Sequence, residues 1–259
     1  MSYKSPDTVS YIPGLMRLAL QGESGSGKST SALTFPNPIV ADFDHKLPCV
    51  CDTIPFWNPE FVYKLCPKKG TLPANTKSAF KKWLETNYAL YTLDQTFILD
   101  SWTMLQGAFD RQTDLEPSYT KGTITKAPEI DKWAFWKEKI QYSRNICELL
   151  QSMKCNVIVI FHEQREKDDE GRWLGKYRPL MAGQFCDILP TYFTDWYRQI
   201  VVETRDSAGK GTGDYSYKWQ LKTDSVAACN TSFVTAKRFC DASYDALQIV
   251  NKQQNKGTQ

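Results

Sequence analysis

Long apolar runs are missing from this sequence. The longest inside a strand-like window, Val157-Ile158-Val159-Ile160-Phe161, falls far short of the ~20 residues that a membrane-crossing helix needs, which excludes a helical span. The first twenty residues hold Pro6, Pro13 and Arg17 and lack a basic stretch followed by an unbroken apolar one. No secretory signal is therefore expected, and a cytoplasmic location follows. An excess of one charge is also missing: 32 Lys and Arg against 29 Asp and Glu leave a formal charge of +3. Binding of a polyanion through bulk positive charge is excluded, so any such binding has to come from local clusters. There is no C-x-x-C pair among the eight cysteines, which are expected to be reduced thiols. His45, Cys49, Cys51 and Cys66 fall within 22 residues and supply four N/S ligands, but Cys-x-Cys with a 14-residue gap is not a usual zinc spacing. Buried free thiols are the better reading. No internal repeat or low-complexity block interrupts the chain.

What is present reads as α/β. The 259 residues suit one elaborated domain, spanning 1–250, with 251–259 as a polar, frayed tail. Leu15 to Gln21 is an apolar run between Pro13-Gly14 and a glycine-rich turn, the pattern of a buried strand. A helix from Ser29 to Phe35 follows, then a strand from Pro38 to Phe43. Thr76 to Leu90 is read as a helix, Thr96 to Asp100 as a buried strand, Ser101 to Asp110 as a helix, and 111–128 as a polar surface loop. Trp133, Trp136, Ile140, Ser143, Cys147 and Leu150 recur at spacings of 3 and 4, one face of a helix expected to pack on the sheet. A strand from Asn156 to Phe161 leads into a charged stretch, His162 to Gln184. Trp196 to Thr204 and Tyr215 to Thr223 alternate around a Gly-rich turn and predict a hairpin. A short strand near Phe233 to Phe239 and a helix from Asp241 to Val250 complete the pattern. The order implies a mostly parallel sheet flanked by helices, with a C-terminal antiparallel extension.

Between the first strand and first helix stands Gly22-Glu23-Ser24-Gly25-Ser26-Gly27-Lys28-Ser29, a full match to G-x-x-x-x-G-K-[ST] in the required context. The glycines let backbone N–H groups converge on phosphate oxygens, and the helix N-terminus adds to the attraction. Lys28 is expected at the β- and γ-phosphates, Ser29 on Mg²⁺ and Thr30 near the α-phosphate. A metal-orienting carboxylate is required at a neighbouring strand end, and Asp100, closing Phe97-Ile98-Leu99-Asp100, supplies it. Because Ser101 follows it, the glutamate that many ATPases place there is lacking, and the group that polarises water has to come from elsewhere. Asp44 and Glu163 are the candidates, both at strand C-termini, where α/β sheets bind ligands. A cap or turn role competes for Asp44, and a satisfied strand-end histidine competes with a functional one for His162. No N-K-x-D or T-K-x-D sequence marks a guanine site, and no Arg-rich lid beyond 165–178 marks a nucleotide kinase.

The chain resembles the RecA-like recombinase core in several places. Asp42-Phe43-Asp44-His45 is similar to a D-x-E-H strand end whose Glu polarises the attacking water, with Asp44 in its place. Asp100-Ser101 matches the family's Asp-Ser strand end, and Ile160-Phe161-His162-Glu163-Gln164-Arg165 looks like its γ-phosphate sensor strand leading to a DNA-binding loop. Thr235-Ala236-Lys237-Arg238 is similar to the basic pair with which one protomer reaches its neighbour's ATP. A closer resemblance, in the strand-end His-Glu and in Phe35-Pro36-Asn37-Pro38, is to phage-encoded RecA-like ATPases that accompany single-strand annealing.

The resemblance implies a RecA-like P-loop NTPase core that binds ATP and Mg²⁺, hydrolyses slowly because the Asp44 carboxylate is one methylene short, and assembles as a filament or ring. Lys28, Asp44, Asp100, His162 and Glu163 would then be the reaction residues, with Lys237 and Arg238 acting in trans. The implied partner is single-stranded DNA, in phage recombination or annealing, in the host cytoplasm, with a single-strand-binding or annealing protein as a further partner. Arg165, Lys167, Arg172, Lys176 and Arg178, interleaved with Trp173 and Tyr177, offer cations for phosphates and rings for unpaired bases. A β-hairpin with a solvated tip at Asp169-Glu170-Gly171, its Trp173 on the core, is the competing reading. Tyr119, Lys121 and Lys126 form a weaker DNA-binding set. The alternative function is a P-loop ATPase that loads or remodels a partner protein in phage replication or packaging.

Overall fold

The computed structural model describes residues 15–44, 46–47, 76–114, 120–121, 129–130, 132–181, 185–232 and 237–248. Its centre is a parallel sheet of β1 (Arg17–Gly22), β2 (Pro38–Asp42), β3 (Thr96–Asp100), β6 (Asn156–Lys167) and β8 (Asp195–Arg205). Two antiparallel strands, β9 (Gly211–Gln220) and β10 (Phe239–Asp241), extend it to give the order β10-β9-β8-β1-β6-β3-β2. Two two-residue strands, β4 (Thr120–Lys121) and β5 (Glu129–Ile130), pair on their own, and β7 (Trp173–Pro179) pairs with the far half of β6. This is the mostly parallel α/β arrangement with a C-terminal antiparallel extension that the sequence implies.

The central strands are apolar on both faces because both are covered. Phe97, Leu99, Val157, Val159 and Phe161 pack on one side with residues of α2 (Thr76–Asn87), α3 (Trp102–Asp114) and α4 (Lys132–Ser152). Their alternates Ile98, Ile158 and Ile160 pack on the other with Ala32 of α1 (Lys28–Ala32), Phe35, Trp219 and Leu247. The period of two thus splits one apolar run between two cores.

Several boundaries differ from expectation. The helix expected over Ser29 to Phe35 is five residues, Lys28–Ala32, finished by turn bonds from Thr34 and Phe35 to Ser31 and Ala32. β8 joins the parallel core beside β1, so only β9 and β10 are antiparallel. The buried face of α4 is Lys139, Tyr142, Ser143, Ile146, Cys147 and Leu150, whereas Trp136 is 38% exposed. Its ring instead carries the Lys139 ammonium at 4.9 Å, an amphipathic use that hydrophobic spacing alone does not reveal. The region 111–128 is not one loop, since α3 runs to Asp114 and Thr120–Lys121 is a strand. The expected strand near Phe233 to Phe239 is placed at Phe239–Asp241, and the closing helix is described over 244–248. No described helix is long and apolar enough to cross a membrane. The five described cysteines, Cys147, Cys155, Cys186, Cys229 and Cys240, are free thiols.

Candidate nucleotide site

β1 ends at the rim of the sheet, and its register sets Gly22 beside His162 of β6 on one side and Gln199 of β8 on the other. A side chain at Gly22 would put its Cβ 2.7 Å from the Gln199 carbonyl oxygen and 2.8 Å from Ser26 Oγ, so this approach requires glycine. Gly27 caps α1 at φ 80°, and a Cβ there would meet the Tyr217 ring at 3.1 Å. Glycine is thus needed at Gly27 for both conformation and space. Glu23, Ser24, Gly25 and Thr30 are exposed along the rim, while Ser26 and Lys28 are buried. The first N–H groups of α1, from Lys28 to Thr30, have no carbonyl within the helix to receive them and are available to phosphate oxygens. With only five residues in α1, convergence of loop N–H groups contributes more than a summed helix dipole.

Lys28 Nζ donates to the carbonyl oxygens of Gly22 at 2.9 Å and Glu23 at 2.7 Å, which folds it over its own loop. Burial lowers the ammonium pKa to about 8, against the opposing pull of Asp100. Ser29 Oγ donates to Asp100 Oδ2 at 2.5 Å. The Asp100 carboxyl is pushed up to about 7 by burial, against the Ser29 bond, with the Asp44 and Asp42 charges adding to the rise. A hydroxyl and a buried carboxylate among like charges form the hard-oxygen donor pair that suits Mg²⁺. Ser29 and Asp100 are the residues that would hold it, and the ion would neutralise charge on the β- and γ-phosphates.

The end of β2 is tied to the end of β3, with the Phe43 and Asp44 N–H groups both donating to the Asp100 carbonyl oxygen. The Asp100–Ser101 peptide between them is cis. Among the described residues, the partners of the Asp44 side chain are side chains. Its Oδ1 accepts from Ser101 Oγ at 2.5 Å, and its Oδ2 lies 2.8 Å from His162 Nε2 and 3.4 Å from Lys46 Nζ. Burial opposes ionisation here, but the bonds from His162 and Ser101 prevail and hold the carboxyl at about 2. Asp44, Ser101 and His162 thus form one connected cluster across β2, β3 and β6, next to the Ser29–Asp100 pair. Glu163 is placed differently. Arg198 Nε and Nη2 donate to its two oxygens at 2.9 and 2.8 Å, and its side chain is 1% exposed. Both candidate bases thus have their two oxygens engaged, and they differ in partner: Glu163 is held by Arg198 of β8, whereas Asp44 is joined through Ser101 to the strand end that carries Asp100.

Sequence reasoning missed Gln199, Arg198 and Tyr217. Gln199 is buried, its Nε2 donates to the Ser26 carbonyl oxygen at 2.6 Å, and its Oε1 accepts from Ser31 Oγ at 2.6 Å and Trp219 Nε1 at 3.0 Å. It braces the loop from below. A polar residue at an inward position of an alternating strand marks it as buried, but its partners in the loop and α1 come from far along the chain.

Beyond the sheet rim, the charged stretch is a hairpin and not a loop. β6 continues to Lys167, a turn follows at 168–172, and β7 returns. Charges on both pleat faces had hidden the strand period. The tip is solvated as the hairpin reading expects, but Trp173 is 50% exposed and does not pack on the core. Arg165 lies over the Trp173 ring at 5.2 Å, Trp173 meets Tyr177 edge-on at 5.9 Å, and Arg198 lies 4.1 Å over Tyr177. These form one aromatic and cationic face. Lys167, Lys176 and Arg178 are exposed along the same hairpin, and Arg172 at the tip pairs with Asp168 and Glu170 at 2.8 Å each.

Lys237 and Arg238 stand exposed before the edge strand β10, three strands from β1, with Arg238 bonded to Asp224. His45, Cys49, Cys51, Cys66, Tyr119, Lys126 and the tail 251–259 lie outside the described residues, as does the side chain of Lys121. No group of three or more metal-ligating side chains occurs among the described residues.

A P-loop at the end of a central parallel strand, with a carboxylate at the end of β3 meeting its serine, defines a nucleotide-binding P-loop ATPase. Residues 15–225 match the model of the AAA domain family, to which the chain therefore belongs. No curated protein matches it. Among solved structures 54 chains match, one of them the flagellar accessory protein FlaH from Methanocaldococcus jannaschii. That protein is 14% identical, over 88% of this chain and 85% of its own, with a TM-score of 0.35.

Proposed function

We propose that this ATPase binds ATP with Mg²⁺, hydrolyses it slowly, and uses the nucleotide state to control its grip on single-stranded DNA in phage recombination or annealing, in the host cytoplasm. One observation carries the reading: the β6 strand that holds His162 against Asp44 beside the P-loop is the same strand that becomes the basic and aromatic hairpin. A γ-phosphate that perturbs the Asp44–His162 contact would act on the root of the hairpin. His162 is anchored there on both sides of its backbone, its N–H donating to Thr103 Oγ1 at 3.2 Å and its carbonyl oxygen accepting from Leu180 N–H.

Exposed pairs such as Arg172 with Asp168 and Glu170 contribute only ~0.2 to 1 kcal/mol. DNA phosphates can therefore replace the acids at little cost, while Trp173 and Tyr177 stack on bases irrespective of sequence. Asp44 reaches the site through a short side chain already bonded to Ser101 and His162, which supports slow hydrolysis. Lys237 and Arg238 would complete a neighbouring protomer's site in a filament or ring.

The test is steady-state ATP turnover with and without single-stranded DNA, repeated for Lys28→Ala and for Arg165→Ala/Trp173→Ala/Tyr177→Ala. DNA-stimulated turnover that is lost in the first variant and reduced to the basal rate in the second is expected. Turnover indifferent to DNA in the unaltered protein would overturn the DNA reading and favour loading or remodelling of a partner protein.

A further inference from the structure

The geometry points to Tyr217 and its neighbours on β8 and β9 as the seat of the nucleoside's purine base. This rests on the nucleotide reading above and deepens it. The metal-binding pair Ser29 and Asp100 and the Asp44 cluster all lie on the β6–β3–β2 side of the P-loop. A Mg²⁺ held by Ser29 and Asp100 would draw the terminal phosphates to that side. The nucleoside must then leave on the opposite side, where β8 and β9 stand.

What stands there is an aromatic shelf. Gln199 faces Trp219, Val201 faces Tyr217 and Glu203 faces Tyr215 across the β8–β9 ladder, so all six share the face that carries α1. The first pair is buried beneath the loop. The next emerges at its rim, with Tyr217 47% and Val201 43% exposed, and Tyr215 beyond is 62% exposed. The Tyr217 ring is close enough to Gly27 that a single added methyl there would touch it at 3.1 Å. An exposed ring joined to the phosphate loop, with an exposed valine beside it, gives a purine a flat apolar surface within reach of the phosphates. A ring face acts on any purine, so this contact holds adenine and guanine alike.

The test compares binding of ATP, GTP and inorganic tripolyphosphate, each with Mg²⁺, to the unaltered protein and to Tyr217→Ala, Tyr217→Phe and Tyr217→Trp. Tyr217→Ala should weaken ATP and GTP about 10-fold, as the loss of one base–aromatic stack does, and leave tripolyphosphate unchanged. Tyr217→Phe should bind all three as the unaltered protein does. In Tyr217→Trp, indole fluorescence should change with ATP and not with tripolyphosphate. An equal loss for ATP and tripolyphosphate in Tyr217→Ala would make Tyr217 a support of the loop and overturn the inference, as would no loss at all. In either case the nucleotide reading survives so long as Lys28→Ala abolishes binding of both ligands. An unaltered protein that binds neither ATP nor tripolyphosphate would overturn both.

Discussion

Gln199 shows how much of this site hangs on a single side chain. It connects the P-loop through the Ser26 carbonyl oxygen, α1 through Ser31 and the sheet through the Trp219 indole. Gln199→Ala leaves the buried Ser26 carbonyl and Trp219 indole N–H without their partner, while Ser31 Oγ keeps the Lys28 carbonyl oxygen, at ~1 to 3 kcal/mol for each group left unsatisfied. A lower urea midpoint and weaker tripolyphosphate binding are expected together. Asp224 offers a test by pH. Burial there opposes ionisation, yet the Ala227 and Val226 N–H groups, with Arg238 and Gln220, hold the carboxyl at about 2, below its usual 3.8. A group lowered on folding contributes stability that is present above its unfolded value and lost as pH falls through its folded one. Urea unfolding followed from pH 5 to 2 should therefore show Asp224→Asn less stable near pH 5 and closer to the unaltered protein near pH 2. A constant gap across that range would disprove the shift.

At the scale of the element, the hairpin root is where the largest energetic effect is expected. Glu163 and Arg198 are 1% and 13% exposed, and removing one partner of such a pair strands a charge, which costs ~3 to 5 kcal/mol. Arg198→Ala should lower stability by about that amount in urea unfolding. Arg198→Lys should not restore it, because an ammonium cannot reproduce the two-pronged bond to Glu163 or lie flat on Tyr177. Farther out, DNA binding by Arg165→Ala/Lys176→Ala/Arg178→Ala should lose salt dependence, the slope of log K against log salt falling by about 2. How much of these elements the sequence discloses depends on locality. The P-loop and Asp100 are legible because their signals have a fixed spacing within a strand and the turn beside it. Arg198, Gln199 and Tyr217 are not, because they gain a role only when β8 comes to lie beside β1, a pairing across some 175 residues of chain. The hairpin stands in the sequence only as a competing reading to a loop, because residues 162–167 carry polar side chains on both faces, which erases the period of two on which a strand is recognised.

At the scale of the whole molecule, the two ends of the sheet carry different groups. The Asp44 cluster lies toward the β2 end, and Lys237 and Arg238 border β10 at the other. Three strand spacings of ~4.8 Å separate β10 from β1, about 14 Å, so within one chain the pair lies to the side of its own P-loop. If it serves a neighbour, two inactive proteins should rescue each other: Lys28→Ala, with a broken P-loop and intact basic pair, mixed with Lys237→Ala/Arg238→Ala, with the reverse. Partial recovery of ATP turnover in the mixture, rising with protein concentration, is expected. Simple averaging of the two parent rates would exclude action in trans.

The 12-residue β6 has a mechanical consequence. Its first half is clamped between β1 and β3, while its second half, with Glu163 bound to Arg198 at the root, pairs among the described strands with β7, itself tied at Tyr177 to Val226, and so projects beyond the sheet rim. From His162 to Lys167 the projecting part is five residues, about 17 Å at ~3.3 Å per residue. A tilt of about 10° at the clamp would carry Lys167 through about 3 Å, close to the ~3.4 Å rise of one nucleotide in a stacked strand. If the hairpin carries a nucleic-acid strand as proposed, a tilt of that size would move its tip by about one nucleotide.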